Sequence, residues 1–255
     1  MRSEIVRIKA CLNGGRRPDE HPAVPITPGE LAAQAAGAVA AGAEALHLHP
    51  RDRVGAQSLH SNDVGASVAA VRRACPGVPV GVTTGLWISD GDVGRRLAMV
   101  ARWADLPLAA RPDFASVNVS ETGFVELVEA LHRVGIEVEA GVWSATDAQT
   151  LAAAGPARWT RILVEVIDGV AETAAATADA ILARLDELGI AGPRLLHGEN
   201  SACWPLVAHA GRLGLPTRIG LEDAVVGPAG EPVVDNADLV RQALVVWTGA
   251  ASSRQ

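Results

Sequence analysis

Two histidines and one glutamate have the types and the spacing expected of a metal site. His47 and His49 are two residues apart in the segment His-Leu-His-Pro-Arg-Asp, and Glu222 stands in the segment Arg-Ile-Gly-Leu-Glu-Asp. Side chains at i and i+2 of a strand share a face, so the two imidazoles can converge on one ion. Two imidazoles and one carboxylate leave positions open for water or substrate, as in catalytic zinc sites, although iron(II) accepts the same ligands. We therefore predict one divalent ion per chain, with zinc as first choice; the simpler alternative is a pair of hydrogen-bonded histidines.

A repeated strand–helix unit is the pattern that would bring these residues together. Short β-branched runs alternate with Ala- and Leu-rich amphipathic stretches along the whole chain. The predicted strands are Ile5–Leu12, Ala45–His49, Val78–Thr83, Phe114–Val119, Ile136–Gly141, Arg161–Val166, Arg194–His197 and Thr217–Glu222. The predicted helices are 28–41, 62–75, 91–104, 122–134, 145–154, 171–188, 202–212 and 236–248.

Eight such alternations without a long linker predict a single (β/α)8 TIM barrel over residues 1–255. Strands two and eight would then flank strand one, so Glu222 can reach the two histidines across the mouth. An open doubly wound sheet is the alternative. It is disfavoured because Asn13-Gly14-Gly15-Arg16, after the first strand, does not fit G-x-G-x-x-G.

Local signals mark where helices begin and end. Thr27-Pro28-Gly29-Glu30 predicts a capping box with proline at the first helical position. Ser120, Ser144 and Ser201 are interpreted as N-caps rather than nucleophiles, because none stands in G-x-S-x-G. Glycines that end helices in the left-handed conformation are expected before five strands. They are Gly42, Gly77, Gly135, Gly189 and Gly214.

Composition and charge narrow the class of protein. The 255 residues are 49% hydrophobic, which is enough for a substantial core, and no apolar run reaches the length of a membrane span. With 22 basic and 29 acidic residues the net charge is −7, and no basic cluster predicts nucleic-acid binding. The three cysteines lack C-x-x-C spacing, which favours a reduced, cytoplasmic protein.

Other polar residues stand in or after the predicted strands, whose C-terminal ends carry the active site of such a barrel. Arg218 would lie about 13 Å below Glu222 on the same face of an extended strand, orienting carboxylates from below. Asp223 has the opposite parity and should lie at the rim, as a base or a loop cap. Glu139 and Glu165 are buried-type carboxylates that would neutralise Arg218 or another internal base.

Taken in order, these motifs resemble the β-keto acid cleavage enzymes, the family of 3-keto-5-aminohexanoate cleavage enzyme-like proteins. The most specific matches are the segments 47–52 and 218–223. Further matches are Val24-Pro-Ile-Thr27, Thr83-Thr84-Gly85, Pro112-Asp113-x-Ala115-Ser116 and Glu137-Val-Glu139.

The resemblance implies a zinc-dependent TIM barrel, usually a homotetramer, that converts a β-keto acid and acetyl-CoA into acetoacetate and a new CoA ester. It implies that His47, His49 and Glu222 bind the Zn2+ ion. It makes Asp223 the acid/base with Arg218 as its partner. It also places Glu139 as a second carboxylate near the substrate, and Thr83 as a hydroxyl residue that holds the substrate.

One departure from the family concerns substrate choice. Relatives can carry a polar or acidic residue after the first strand that recognises the distal group of the substrate, whereas this chain has Asn13, Gly14, Gly15 and Arg16. Together with Asn118, we take Asn13, Gly14 and Arg16 as substrate-binding candidates and predict substrates without a distal amine. The alternative is that Arg16 and Arg17 are solvated loop charges. Two other functions stay open: a metal-dependent hydrolase of a small ester or amide, and a non-catalytic metabolite-binding barrel.

Overall fold

The computed structural model describes residues 5–155, 159–167 and 169–253, and within them the chain alternates strand and helix eight times. The strands are β1 Ile8–Cys11, β2 Ala45–Leu48, β3 Val80–Thr83, β4 Phe114–Asn118, β5 Glu137–Val142, β6 Arg161–Val166, β7 Arg194–Gly198 and β8 Thr217–Ile219. The helices are α1 Pro28–Ala40, α2 Ser61–Ala74, α3 Val93–Ala101, α4 Phe124–Arg133, α5 Ala145–Ala153, α6 Ala171–Glu187, α7 Cys203–Leu213 and α8 Asn236–Ser252.

The strands form one parallel sheet in the order β7-β6-β5-β4-β3-β2-β1-β8. Leu196 of β7 donates its N–H to the carbonyl of Pro216, just before β8, at 3.0 Å, so the two ends of the sheet meet. This nearly closed barrel confirms the predicted fold class, and the doubly wound alternative is wrong. Because β1 pairs with both β2 and β8, residues that follow those two strands lie on either side of β1.

Burial explains why the strands are recognisable in the sequence. Parallel strands covered by helices are buried on both faces and therefore form short apolar runs. In β2 the apolar Leu46 and Leu48 have no exposed surface, and His47 between them is also buried. Alternation places the histidine on the opposite face from the two leucines. A polar residue buried in such a run is the feature that singles out the site.

The predicted capping signals are confirmed at two helices. Thr27 and Glu30 form a reciprocal capping box at α1, and the Ser144 hydroxyl accepts the N–H of Asp147 at the start of α5, at 3.1 Å. The five glycines predicted to end helices have φ between 65° and 114°.

Two predicted N-caps are wrong. The Ser201 hydroxyl donates to the Gly169 carbonyl, at 2.9 Å, and lies in a 3-10 turn before α7. Ser120 lies outside the cap of α4, whose N-cap residue is Gly123. No helix within the described ranges is long and apolar enough to cross a membrane.

Candidate metal centre and active site

The three predicted metal ligands meet at the C-terminal end of the barrel. His47 lies in β2, His49 follows it, and Glu222 lies in the turn after β8. Glu222 Oε2 is 3.6 Å from His49 Nε2 and 3.8 Å from His47 Nε2. These separations are too long for hydrogen bonds. Ligand atoms about 2.0–2.2 Å from a tetrahedral zinc lie about 3.3–3.5 Å apart, so the three atoms fit one ion between them.

The hydrogen bonds around the three candidate ligands leave Glu222 Oε2 and the two histidine Nε2 atoms available for a metal ion. Glu222 Oε1 accepts from Arg218 at 3.0 Å, whereas the buried Oε2 accepts no hydrogen bond from the described residues. His49 Nδ1 lies 2.6 Å from Gln57 Oε1, and His47 Nδ1 lies 3.4 Å from Ser116 Oγ. If each Nδ1 carries the ring proton and donates it, each Nε2 presents a lone pair. Burial lowers the pKa of His47 well below its usual value, which keeps that ring neutral.

A tight turn after β8 brings Glu222 towards the histidines. The strand ends at Ile219, and the N–H of Asp223 bonds to the Gly220 carbonyl at 2.9 Å. The prediction that β8 continues to Glu222 is therefore wrong. The expected separation of Arg218 and Glu222 along an extended strand is wrong for the same reason, since the chain folds back and their side chains are in contact.

Two glycines make room for this turn. A Cβ on Gly220 would lie 1.9 Å from the Cys11 carbonyl oxygen. Gly14 has φ +54°, and a Cβ there would lie 2.4 Å from Glu222 Cγ. Side chains at either position would displace the backbone or the carboxylate of the metal site.

Arg218 is the cation of the site and contacts several carboxylates. Its guanidinium donates twice to Asp223 Oδ1, at 2.7 and 3.0 Å, and once to Glu199 Oε1, at 3.2 Å. Burial raises the pKa of Glu222, but Arg218 and the histidines outweigh it and hold that pKa well below its usual value.

Asp223 lies in the interior of the protein. It has no exposed surface, so the predicted position at the rim is wrong, because the turn after β8 reverses the parity expected of an extended strand. Burial raises the pKa of Asp223 well above its usual range despite Arg218.

The ligands open on a cavity of about 390 Å³. Of the predicted site residues, its wall includes His47, His49, Thr83, Asn118, Arg218, Glu222 and Arg16. It also includes Gly15, Glu20, Trp87, Ser116, Trp143, Glu165, Ile167, Glu199 and Asn200. A polar cavity of this size, lined by two indoles and several carboxylates, suits a small charged ligand.

Comparison with known proteins decides the family. The family model described as beta-keto acid cleavage enzyme matches residues 6–251. The chain belongs to the β-keto acid cleavage enzyme family. The resemblance in its motifs is therefore confirmed. The chain is also 35% identical over 93 residues to 3-keto-5-aminohexanoate cleavage enzyme of Fusobacterium nucleatum subsp. nucleatum; the match spans 36% of this chain and 34% of that protein.

Solved structures share the barrel. The complex of ObcA with oxaloacetate is 18% identical with a TM-score of 0.63, covering 91% of this chain and 63% of that one. The carboxyl transferase domain of Rhizobium etli pyruvate carboxylase with 3-bromopyruvate is 14% identical with a TM-score of 0.62, covering 97% and 47%. At these identities the likeness shows the fold alone. The matched part spans less than two thirds of each of these proteins and of the curated relative.

Within this member of the β-keto acid cleavage enzyme family, four predicted site residues do not line the cavity: Asn13, Gly14, Glu139 and Asp223. Asn13 is fully buried and all its side-chain polar atoms are engaged: it donates to Pro25 and His49 and accepts from the N–H of His49. Its contacts position the candidate ligand His49 rather than a substrate. Gly14 makes room for Glu222, as described above.

Glu139 lies deeper in the barrel, bound to Lys9 Nζ at 2.6 Å and to Arg161. These contacts favour the alternative in which Glu139 neutralises internal bases. Its proximity to a substrate stays a prediction.

Arg16 is held at the wall of the cavity. Its guanidinium donates to Glu20 at 3.0 Å, to the Leu221 carbonyl at 3.1 Å and to Asn200. Its side chain is mostly buried, whereas that of Arg17 is 70% exposed, so the alternative of a solvated charge describes Arg17 alone.

Sequence reasoning did not single out three residues at the metal site. Gln57 and Ser116 orient the two imidazoles, and Trp87 stacks on His49 with ring centroids 6.4 Å apart. Ser116 is a polar residue in a strand of the buried type, which is a usable signal. Gln57 and Trp87 lie in loops, where no periodicity distinguishes them.

Proposed function

We propose that this chain is a zinc-dependent enzyme that condenses a β-keto acid with acetyl-CoA to give acetoacetate and a new CoA ester. Family membership supports the class of reaction. The observation that carries the proposal is the unpaired Glu222 Oε2, which faces the Nε2 atoms of His47 and His49 at the wall of a polar cavity. This arrangement suits a site that binds a metal and still leaves room for a substrate.

In this proposal His47, His49 and Glu222 hold one Zn2+. A bound divalent ion supplies a Lewis acid that stabilises the enolate formed when the C–C bond is made or broken. Asp223 is the proposed acid/base, and Arg218 holds its carboxyl group through two hydrogen bonds.

Two polar side chains of the wall are proposed to bind the substrate. Thr83 and Asn118 offer a hydroxyl and an amide at the cavity surface, where they can orient the oxygens of a β-keto acid.

The second substrate is proposed to be acetyl-CoA. A solved ternary complex of ObcA, which shares this fold, contains a C4-CoA adduct and oxalate, and this supports the proposal of a CoA substrate. We also propose a homotetramer in the cytoplasm. The three cysteines Cys11, Cys75 and Cys203 are free and buried, which suits a reducing compartment.

Arg16 is proposed to influence substrate choice, since it is the predicted cation of the loop after β1 that lines the cavity. A positive charge there disfavours a distal ammonium group, so anionic or neutral β-keto acids are the expected substrates. Comparing kcat/KM for anionic, neutral and cationic β-keto acids checks this. A preference for the cationic substrate would contradict it.

The decisive experiment mixes the zinc-loaded protein with acetyl-CoA and a panel of β-keto acids, followed by mass spectrometry of the CoA esters. New CoA esters with stoichiometric acetoacetate support the proposal. Free acids formed without CoA would indicate a hydrolase, and binding without turnover would indicate a non-catalytic barrel. The matched control is the His47→Ala/His49→Ala variant, which should lose both zinc and turnover; unchanged zinc content in it would reject the ligand assignment.

A further inference from the structure

A second buried polar pair lies beside the metal ligands and opens on the same cavity. Glu165 of β6 and His197 of β7 are partners in the sheet register. The distance from His197 Nε2 to Glu165 Oε2 is 2.9 Å. Glu165 lines the cavity, while the His197 ring behind it has no exposed surface. The pair thus presents one carboxylate to a ligand and hides its imidazole.

Glu165 is not neutralised as a structural ion pair would be. Its nearest cation in the described chain is Arg218, whose Nη1 is 3.9 Å away, beyond hydrogen-bond distance. The hydrogen bonds of Arg218 go to Asp223, Glu222 and Glu199. A buried carboxylate without a bonded cation is costly to keep ionised. Burial accordingly raises the pKa of Glu165 to about 7, with Arg218 opposing the rise, and this is the range of an effective general base.

His197 holds this carboxylate in place as a neutral ring. Burial lowers the pKa of His197 well below its usual value. A neutral ring that donates from Nε2 to Glu165 leaves a lone pair on Nδ1. That nitrogen is buried without a hydrogen-bond partner among the described residues, and it lies 3.9 Å from Asp223 Oδ1. The imidazole therefore stands between the enclosed Asp223 and the cavity-facing Glu165.

A glycine on the neighbouring strand makes room for the carboxylate. A Cβ on Gly141 of β5 would lie 2.4 Å from Glu165 Oε1 and 3.0 Å from Asn118 Oδ1. Any larger residue at position 141 would displace Glu165 from its place beside Asn118, the proposed substrate-binding amide. The glycine at position 141 of β5 therefore leaves the space that the Glu165 carboxylate occupies.

We propose that Glu165 is a catalytic proton-transfer residue and that His197 is its positioning residue. This inference rests on the proposed function and deepens it: Asp223, the proposed acid/base, is enclosed behind His197, and Glu165 is the group through which proton transfer reaches the β-keto acid. The ionised carboxylate takes one proton from C2, the carbon between the ketone and the acid. The C–H bond breaks, its electron pair moves into the enolate, and an O–H bond forms on Glu165. The proton returns to C2 when acetoacetate is released, so the step is balanced without an oxidant or reductant.

Exchange of the C2 protons of acetoacetate in D2O tests this step without acetyl-CoA. Proton NMR measures the exchange rate with zinc-loaded protein against a protein-free blank. We expect Glu165→Gln to slow the protein-catalysed exchange by about 10²-fold or more. Zinc content by elemental analysis and the Kd for acetoacetate by calorimetry should stay near those of the unmodified protein. Glu129→Gln, on the exposed surface of α4, is the matched control for loss of a carboxylate.

Further variants separate positioning from folding. His197→Leu should slow exchange while the Kd for acetoacetate changes little, and His197→Gln should restore part of the rate because its amide can donate from a similar place. If Glu165→Gln does not fold, Gly141→Ala tests the same group, since it keeps Glu165 in the chain and displaces its carboxylate.

The outcomes distinguish this inference from the proposed function. If folded Glu165→Gln exchanges the protons at the rate of the unmodified protein, the role of Glu165 is overturned, even if the unmodified protein makes CoA esters. If Glu165→Gln does not fold, an unchanged rate in Gly141→Ala overturns that role instead. Exchange that depends on Glu165, without any CoA ester from the panel, supports the inference and overturns the proposed transfer. If the unmodified protein shows neither exchange above the blank nor CoA-ester formation, both the inference and the proposed function are overturned.

Discussion

At the scale of single residues, the partners of the two imidazoles decide which ring nitrogen is left to bind the proposed zinc ion. Gln57 lies 2.6 Å from His49 Nδ1, whereas Ser116 lies 3.4 Å from His47 Nδ1. We expect Gln57→Ala to weaken zinc binding by about 10- to 100-fold, the usual effect of removing such a partner. Ser116→Ala, which removes the longer contact, should have a smaller effect. Competition with a chromophoric chelator measures both, and an unchanged Kd in Gln57→Ala would contradict the assigned tautomer.

Asp223 is the residue whose proposed role most needs a kinetic test. Asparagine keeps its shape and one acceptor for Arg218 but removes the ionisable group. If Asp223 is the acid/base, Asp223→Asn should keep zinc and fold while turnover falls by about 10²–10⁴-fold. Steady-state kinetics with elemental analysis of the same sample checks this. Turnover close to that of the unmodified protein would limit Asp223 to anchoring Arg218.

The raised pKa of Glu165 has a consequence for stability that can be measured without substrate. A carboxyl whose pKa is raised in the folded chain contributes stability that is complete below its unfolded pKa, about 4.3. This contribution is lost as pH rises through about 7, the pKa in the folded chain. Glutamine does not titrate.

The free energy of unfolding of Glu165→Gln, relative to the unmodified protein, should therefore rise by about 2–3 kcal/mol between pH 4.5 and pH 8. Urea unfolding of the metal-free proteins at both pH values measures the difference. The surface variant Glu129→Gln, unfolded at the same two pH values, is the matched control for loss of a carboxylate. If the difference in free energy of unfolding between Glu165→Gln and the unmodified protein does not vary with pH, the pKa of Glu165 is not raised in the folded chain.

Two of the three candidate metal ligands stand out in the sequence for a specific reason. His47 stands in, and His49 directly after, a short strand of otherwise buried apolar residues, where polar side chains need a function or a partner. The direct contact of Arg218 with Glu222 was not predictable from residue spacing, because it depends on a turn that is hydrogen-bonded to β1, which is distant in the sequence. Glu222 donates its N–H to the Cys11 carbonyl at 3.3 Å, a contact that no local pattern encodes.

At the scale of elements, the turn after β1 supports the turn after β8. Gly14 has φ +54°, where other residues are strained by about 1–2 kcal/mol, and an added Cβ would lie 2.4 Å from Glu222 Cγ. We expect Gly14→Ala to lower stability and to weaken zinc binding by about 10-fold or more, as for other disrupted ligand supports. Gly15→Ala is a matched control, because its Cβ would be 3.6 Å from Gln57 Nε2, an ordinary contact. Equal zinc affinities in the two variants would show that Glu222 does not depend on this turn.

Element boundaries show where local patterns lose their information. The capping box at Thr27 and Glu30 was predictable because both of its hydrogen bonds join residues within one helical turn. The end of β8 and the lack of a Ser201 cap on α7 were not, since the chain there forms short turns instead of a regular strand end or a side-chain cap. Apolar periodicity locates the middle of an element, and its ends depend on the neighbouring loops.

At the scale of the whole molecule, barrel closure explains how distant residues form one site. The order of eight strand–helix units was enough to place β1 between β2 and β8, and hence to bring Glu222 to the two histidines. The barrel interior below the candidate metal site was not predictable in the same detail. Lys9, Glu139 and Arg161 come from β1, β5 and β6, and form a buried charged cluster inside the barrel.

The cluster allows a structural role of Glu139 to be tested separately from a catalytic one. Glu139 has no exposed surface, and although burial raises its pKa, Lys9 and Arg161 outweigh this and lower it. Glu139→Gln removes the counter-charge of two buried cations and should cost about 3–5 kcal/mol of stability. The double variant Lys9→Met/Glu139→Gln should recover part of this loss, because it also removes one cation.

Urea unfolding measures stability, and kcat/KM of the folded protein measures catalysis. If Glu139 is structural, zinc content and kcat/KM should stay close to those of the unmodified protein at temperatures where the variant is folded. A fall of about 100-fold in kcat/KM with stability preserved would instead support the role near the substrate that the family resemblance implies. Since Glu139 is held by two cations below the cavity, we expect the first result.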